Sequence, residues 1–227
     1  GEQMQHFRDL AFMGFFGVLA NIRSIAKNLR FFKKDISDWK PDAIILIDYA
    51  GFNLRIARYA HERGFRVFYY ISPKVWAWNK SRVEKLKKYT DKIFVIFPFE
   101  VDYFRQQGLE VEYYGNPLLD PIEQFRRQDI SREKFLRENK LEDKAIVALL
   151  SGSRKQEIKL LLPKMIAASR HFPDYQFVVA AAPSLSPEYY DAYLNGSKVK
   201  RVYDNTYALL HHAEAAVVTS GTATLET

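Results

Sequence analysis

Asp48 closes an apolar run, Asp42-Ala-Ile-Ile-Leu-Ile-Asp48, and stands just ahead of Tyr49-Ala50-Gly51-Phe52-Asn53. A carboxylate projecting where a strand ends is placed to take a proton from a reacting hydroxyl. In the same place it also serves as a helix cap or as half of an ion pair, and spacing alone leaves these roles open. Ser151-Gly152-Ser153-Arg154 follows a second apolar run, Ala145 to Leu150. Open α/β sheets bind ligands beyond the carboxyl ends of their strands, and the planar fork of Arg154, with the Ser153 hydroxyl beside it, suits a diphosphate. A Gly-Ser turn carrying a solvated Arg is the plainer alternative. Ser220-Gly221-Thr222-Ala-Thr-Leu-Glu226 follows a third run, Ala215 to Thr219. Free N–H groups at a helix start attract phosphate, Gly221 lets the backbone come close, and the two oxygens of Glu226 suit the paired hydroxyls of a ribose. An ordinary capped helix has the same pattern. Two such turns after two strands of one sheet would face one crevice.

Other residues offer contact rather than chemistry. Tyr70-Ile71-Ser72-Pro73-Lys74-Val75-Trp76-Ala77-Trp78 puts two tryptophans in a loop that can line a sugar or acyl pocket, followed by Lys80, Arg82, Lys85, Lys87 and Lys88. That basic run binds phosphate or acidic lipid, or is simply a solvated face. The five histidines show no metal-ligand spacing, and the absence of cysteine excludes a disulfide framework, a thiolate zinc site and a cysteine nucleophile. A surplus of 34 Lys+Arg over 27 Asp+Glu, net +7, favours anionic partners without choosing among them. Nothing resembles an RNA- or DNA-binding motif, so nucleic acid is not expected as a partner.

The elements that must position these residues follow from hydrophobic periodicity. With 48% hydrophobic residues, the 227-residue chain can bury a substantial core. Phe15, Val18, Leu19, Ile22, Ile25, Ala26 and Leu29 recur at helical spacing, predicting an amphipathic helix from Leu10 to Leu29. Phe12, Met13, Phe15 and Phe16 widen its apolar coverage, which fits lipid contact or burial on two sides. Strands are expected at Asp42–Asp48, Arg66–Ile71, Lys92–Phe97 and Val111–Tyr114, the first as a continuous apolar run covered on both faces. Between them fall helices at Asn53–Arg63, Val83–Tyr89 and, opened by Pro98-Phe99-Glu100, up to Gly108. A boundary near Gln124 separates a domain of residues 1–124 from one of residues 125–227. The second begins with a charged helical stretch capped by Ser131 and continues as the strand Ala145–Leu150, a helix to Ser169, the strand Gln176–Ala181, a loop and the strand Ala215–Thr219. Strands alternating with helices predict doubly wound α/β with parallel sheets. The chain stops in the first turns of a helix, so the second sheet is expected to be incomplete. No apolar run is long enough to span a bilayer and no signal peptide is evident, so membrane contact is expected to be peripheral.

Taken in order, Tyr70-Ile-Ser-Pro-Lys-Val-Trp-Ala-Trp78, Phe97-Pro-Phe-Glu100, Gly115-Asn116-Pro117, Leu149-Leu-Ser-Gly-Ser-Arg154 and Thr219-Ser-Gly-Thr-Ala-Thr-Leu-Glu226 resemble the motifs of the lipid-A-disaccharide synthase family. The resemblance covers nearly the whole chain. It implies a GT-B-like fold of two Rossmann-like domains, an acceptor-side N-terminal one and a nucleotide-sugar-binding C-terminal one. It also implies inverting transfer from UDP-2,3-diacylglucosamine to 2,3-diacylglucosamine 1-phosphate with no cofactor or metal. The implied location is cytoplasmic, peripheral on the inner face of the bacterial inner membrane, against an anionic membrane surface, and an oligomer is allowed. By the same resemblance Asp48 is the base, Ser153, Arg154, Ser220, Gly221, Thr222 and Glu226 bind the nucleotide, and Ser72, Trp76, Trp78, Asn116, Phe12, Met13, Phe15 and Phe16 form the acceptor and lipid pocket. The chain departs from the family at Ala50-Gly51, where many members have Pro-Asp, and at Asn116, where many have His. It also starts after the family's first strand and Gly-rich loop and ends before its C-terminal segment. Two rival expectations are another UDP-sugar enzyme of this fold, an epimerase or a lipid-linked sugar transferase, and a fragment that binds nucleotide or membrane without turnover.

Overall fold

A computed structural model describes residues 22–75, 81–128, 130–219 and 221–227. The chain divides into two compact units, Gly1–Asn116 and Pro117–Thr227. The division falls ahead of the Gln124 boundary because the helix holding Phe125 packs with the second unit, its ring meeting Tyr207 and His211.

In the first unit the order is α1 (Ile22–Trp39), β1 (Ala43–Ile47), α2 (Ala50–His61), β2 (Arg66–Tyr70), α3 (Ser81–Tyr89), β3 (Lys92–Val95), α4 (Pro98–Gln106) and β4 (Glu112–Tyr113). The strands form a parallel sheet in the order β1-β2-β3-β4. Helix α1 runs beyond Leu29 because Phe32 and Ile36 continue the apolar stripe of Ile25 and Leu29. It stops at Trp39 because Pro41 disfavours helical backbone at Lys40, which turns left-handed with φ 49°. Val67, Tyr69, Ile93 and Val95 pack with Ala57, Ala60, Val83 and Leu86 in one core. The first strand corrects an expectation: only Leu46 of β1 is buried, while Ile45 and Ile47 are 65% and 55% exposed. Among the described strands β1 pairs with β2 alone, and its alternate residues point away from the face that carries this core.

The second unit runs α5 (Leu119–Arg126), α6 (Arg132–Glu138), β5 (Ile146–Leu150), α7 (Lys155–Ser169), β6 (Gln176–Ala181), α8 (Pro187–Leu194), β7 (Lys200–Tyr203), α9 (Thr206–His212), β8 (Ala215–Val218) and α10 (Thr222–Glu226). Its sheet is parallel in the order β7-β6-β5-β8. Here both faces are covered. Val147, Leu149, Phe177 and Val179 pack on Ile158, Leu162 and Tyr190, whereas Ile146, Ala148, Leu150 and Val178 pack on Phe135, Ala208 and Leu209. Strand β5, second from one edge, is buried along its whole length, as its continuous apolar run requires. The segment expected as a loop contains α8, β7 and α9. Edge strand β7 buries Val202 alone, leaves Lys200 exposed and pairs Arg201 with Asp191, so it has little apolar signature.

Candidate functional site

Asp48 follows β1 in left-handed backbone, φ 47°, and Tyr49 repeats it with φ 44°. Consecutive non-glycine residues in this region cost about 1–2 kcal/mol each and need outside support. The Asp48 N–H donates to the Tyr70 carbonyl at 3.0 Å. The Tyr69 hydroxyl donates to the Asp48 carbonyl at 2.6 Å, and Asn53 Nδ2 reaches the carbonyls of Ile47 and Asp48 at 2.9 and 2.8 Å. Helix α2 is capped through the backbone of Tyr49. Among the described residues the Asp48 carboxylate therefore neither caps nor pairs, and it is exposed beyond the carboxyl end of the sheet. Asn53 and Tyr69, which hold this turn, were not singled out from sequence. An Asn set one helical turn past a strand end is the signal for the first, but the Tyr69 contact depends on strand pairing.

In the second unit β5 and β8 are direct neighbours, Leu150 opposite Val218, and the Thr219 N–H donates to the Leu150 carbonyl at 3.1 Å. The turns that follow them consequently leave the same edge of the sheet side by side. In the first turn Gly152 has φ 94°, and a Cβ there would collide with the Glu157 side chain, whose own Cβ lies at 2.9 Å. The Glu157 carboxylate accepts the N–H groups of Ser153 and Arg154, both at 3.2 Å, and takes the Arg154 guanidinium at 2.9 Å. It thus fills the anion position at the start of α7, and a diphosphate drawn by Arg154 competes with it. The Glu three residues into the helix was the legible signal for this cap. Ser151, fully buried next to the turn, has no hydrogen-bond partner for its hydroxyl among the described residues. In the second turn Gly221 has φ 106° and ψ −151°, backbone open essentially to glycine alone. Thr222 and Glu226 are the first and last residues of α10. Ser220 lies outside the described residues.

Ser72 is buried, with its hydroxyl 3.4 Å from Glu100 Oε1. Glu100, 1% exposed, accepts the N–H groups of Phe97 and Ile96 through Oε2 at 3.1 and 3.3 Å. The Pro98-Phe99-Glu100 motif is therefore a buried helix cap, with Pro at a position whose N–H would go unused. Ser72 faces this interior carboxylate. Asn116 is half-buried at the end of the first unit, after Gly115 with φ 115°. Phe12, Met13, Phe15, Phe16, Trp76 and Trp78 lie outside the described residues.

A family model for lipid-A-disaccharide synthetase matches residues 2–227. Lipid-A-disaccharide synthases from Syntrophus aciditrophicus and Trichlorobacter lovleyi are 41% and 37% identical over 96% and 99% of this chain, and that from Coxiella burnetii is 36% identical over 96%. The chain spans about 60% of the length of these relatives. Among solved structures, a UDP-GlcNAc 2-epimerase from Neisseria meningitidis bound to UDP-GlcNAc aligns with TM-score 0.62 at 13% identity, over 93% of this chain and 62% of that one. A complex of S. aureus MnaA with UDP gives 0.64 at 13% identity, over 89% and 58%. At such identity the likeness is one of fold, and it is the GT-B-like class of two Rossmann-like units.

Proposed function

Because the chain belongs to the lipid-A-disaccharide synthetase family, we propose that it carries the core of an inverting glycosyltransferase of lipid A synthesis. The reaction joins UDP-2,3-diacylglucosamine to 2,3-diacylglucosamine 1-phosphate and releases UDP. Asp48 takes the proton of the acceptor's 6-hydroxyl as that oxygen bonds to the anomeric carbon. The bond from that carbon to the diphosphate oxygen breaks in the same step, and its electron pair leaves with UDP. Arg154 and the backbone N–H groups of the Ser220–Thr222 turn stabilise the charge growing on the diphosphate, Ser153 adds a hydroxyl, and Glu226 holds the ribose. The first unit serves the acceptor and the second the nucleotide sugar. Acyl chains are received by Phe12, Met13, Phe15, Phe16, Trp76 and Trp78, with Asn116 in the acceptor role. The enzyme works peripherally at an anionic membrane surface on the cytoplasmic side of the inner membrane. Among the described residues no helix is long and apolar enough to cross a membrane.

The observation that carries this reading is the pairing of β5 with β8, which sets the Arg154 turn and the Gly221 turn at adjacent positions of one sheet edge. The test is acceptor-dependent release of UDP. Asp48→Ala in the active enzyme is expected to lower turnover by about 100-fold or more, and turnover near wild type overturns the base assignment. Arg154→Ala is expected to weaken UDP binding by about ten-fold, the worth of one charge-assisted contact. An epimerase of this fold needs no acceptor hydroxyl, so sugar turnover independent of the acceptor selects that alternative.

A further inference from the structure

Two residues of the basic run after the tryptophan loop, Arg82 and Lys85, line a cavity. An open groove of about 640 Å³ lies in the first unit among α1, α2 and α3. Its charged walls are Lys33 from α1, Arg55 and Arg58 from α2, Glu62 just past the end of α2, and Arg82 and Lys85 from α3. Positions 51, 55 and 58 fall on one face of α2, which runs along the groove. The carboxylate is already engaged: Glu62 Oε1 takes Arg58 Nε at 2.7 Å. The Lys33 ammonium sits over the Tyr59 ring, 4.9 Å from its centre. Arg55, Arg82 and Lys85 have no acidic partner among the described residues, so their charges converge on the groove uncompensated.

Like charges gathered in a concave site repel one another, and the arrangement is relieved by a multiply charged anion. Two guanidinium groups and an ammonium suit a phosphate monoester, whose oxygens accept several donors at once. One end of the groove is bounded by Ala50 and Gly51, directly after the Asp48 turn. A Cβ at Gly51 would meet no atom within 4 Å, so a ligand has room to come against the backbone there. The volume exceeds what a bare phosphate fills and leaves space for a sugar.

We infer that this groove binds the phosphate of a sugar phosphate, placing the sugar toward Asp48. The assignment rests on the first unit's acceptor role, and it names Arg55, Arg82 and Lys85 as the phosphate's ligands. The test is binding, not turnover, so its result is independent of whether Asp48 is the base. Glucosamine 1-phosphate, glucosamine and inorganic phosphate are titrated into the full chain, with backbone amide shifts read at Gly51, Arg55 and Lys85. Vesicles of phosphatidylcholine with and without phosphatidylglycerol form the membrane arm. Saturable shifts at these residues are expected with glucosamine 1-phosphate, weaker ones with inorganic phosphate and none with glucosamine. Arg55→Gln with Lys85→Gln, both at exposed positions that folding does not depend on, is expected to weaken glucosamine 1-phosphate by about ten-fold or more. Equal affinity for inorganic phosphate overturns the sugar-phosphate assignment. So does binding confined to anionic vesicles, or an unchanged affinity in the double variant, provided its thermal unfolding matches wild type.

Discussion

At the scale of single residues, the exposed Asp48 carboxylate depends on a turn that its own residues disfavour. Left-handed backbone at Asp48 and Tyr49 is sustained by donors from two neighbouring elements, Asn53 on α2 and Tyr69 on β2. Burial, reinforced by the nearby Asp48 charge, pushes the Tyr69 hydroxyl well above the usual phenol range, so it remains a donor at any working pH. Tyr69 is thus a positioning residue, with no contact of its own to the acceptor in the proposed reaction. Tyr69→Phe keeps the packing and removes one donor. It is expected to cost about 1 kcal/mol in stability and to lower kcat about ten-fold with KM nearly unchanged, because the proton acceptor is misplaced while binding surfaces stay. Steady-state kinetics check this split, and a rise in KM at constant kcat would assign Tyr69 to binding instead.

At the scale of elements, α7 shows how much irregularity packing can carry. Ile158, Leu162, Met165 and Ile166 recur at helical spacing and are buried against the sheet, each contributing about 2 kcal/mol. That burial outweighs Pro163, which sits inside the same helix on its exposed side, lacks an N–H and crowds the carbonyl of Lys159. Pro163→Ala restores the missing hydrogen bond without touching the core. It is expected to raise stability by about 1–3 kcal/mol, read as a higher urea midpoint at unchanged slope. The start of this helix illustrates the opposite economy, since Glu157 satisfies its own orphan N–H groups and the Arg154 guanidinium together.

At the scale of the molecule, the two units bury their sheets differently. The second has a core on each face, whereas the described core of the first lies on one. In the second unit α9 anchors the α5–α6 segment: Phe125 meets His211, Phe135 meets His212, and Arg132 donates to the His212 carbonyl at 3.1 Å. His212 Nε2 lies 3.0 Å from the Ile130 carbonyl, which only accepts, so that nitrogen carries the proton of the neutral ring. Burial, with His211 and Arg132 close by, holds the His212 pKa below its ordinary 6.5. As pH falls below 6.5 the unfolded chain takes up this proton first, so the contribution of His212 is full above that pH and is lost toward the depressed folded value. Wild type is therefore expected to lose more stability than His212→Gln between about pH 7 and pH 5. Parallel thermal melts of the two would refute this if their pH slopes coincide.

Hydrophobic patterning alone locates seven of the eight strands among the described residues, because a strand that packs on helices must be apolar where it is covered. It also placed Asp48, Arg154 and Gly221 just beyond strand ends, since a change from apolar run to polar turn marks where a strand leaves its sheet. Edge strand β7 is not legible along the chain because one buried residue supplies almost no pattern. Strand order was invisible as well: that β8 pairs with β5 rather than with β7, its predecessor, is a choice made among all the strands at once. The same holds for the partners of Asp48, for the carboxylate of Glu157 lying where an anion was expected, and for five cations from three helices meeting in one groove. Chemistry that resides in a residue and its immediate neighbours is written along the chain, while chemistry that needs residues brought from different elements exists only once those elements have packed.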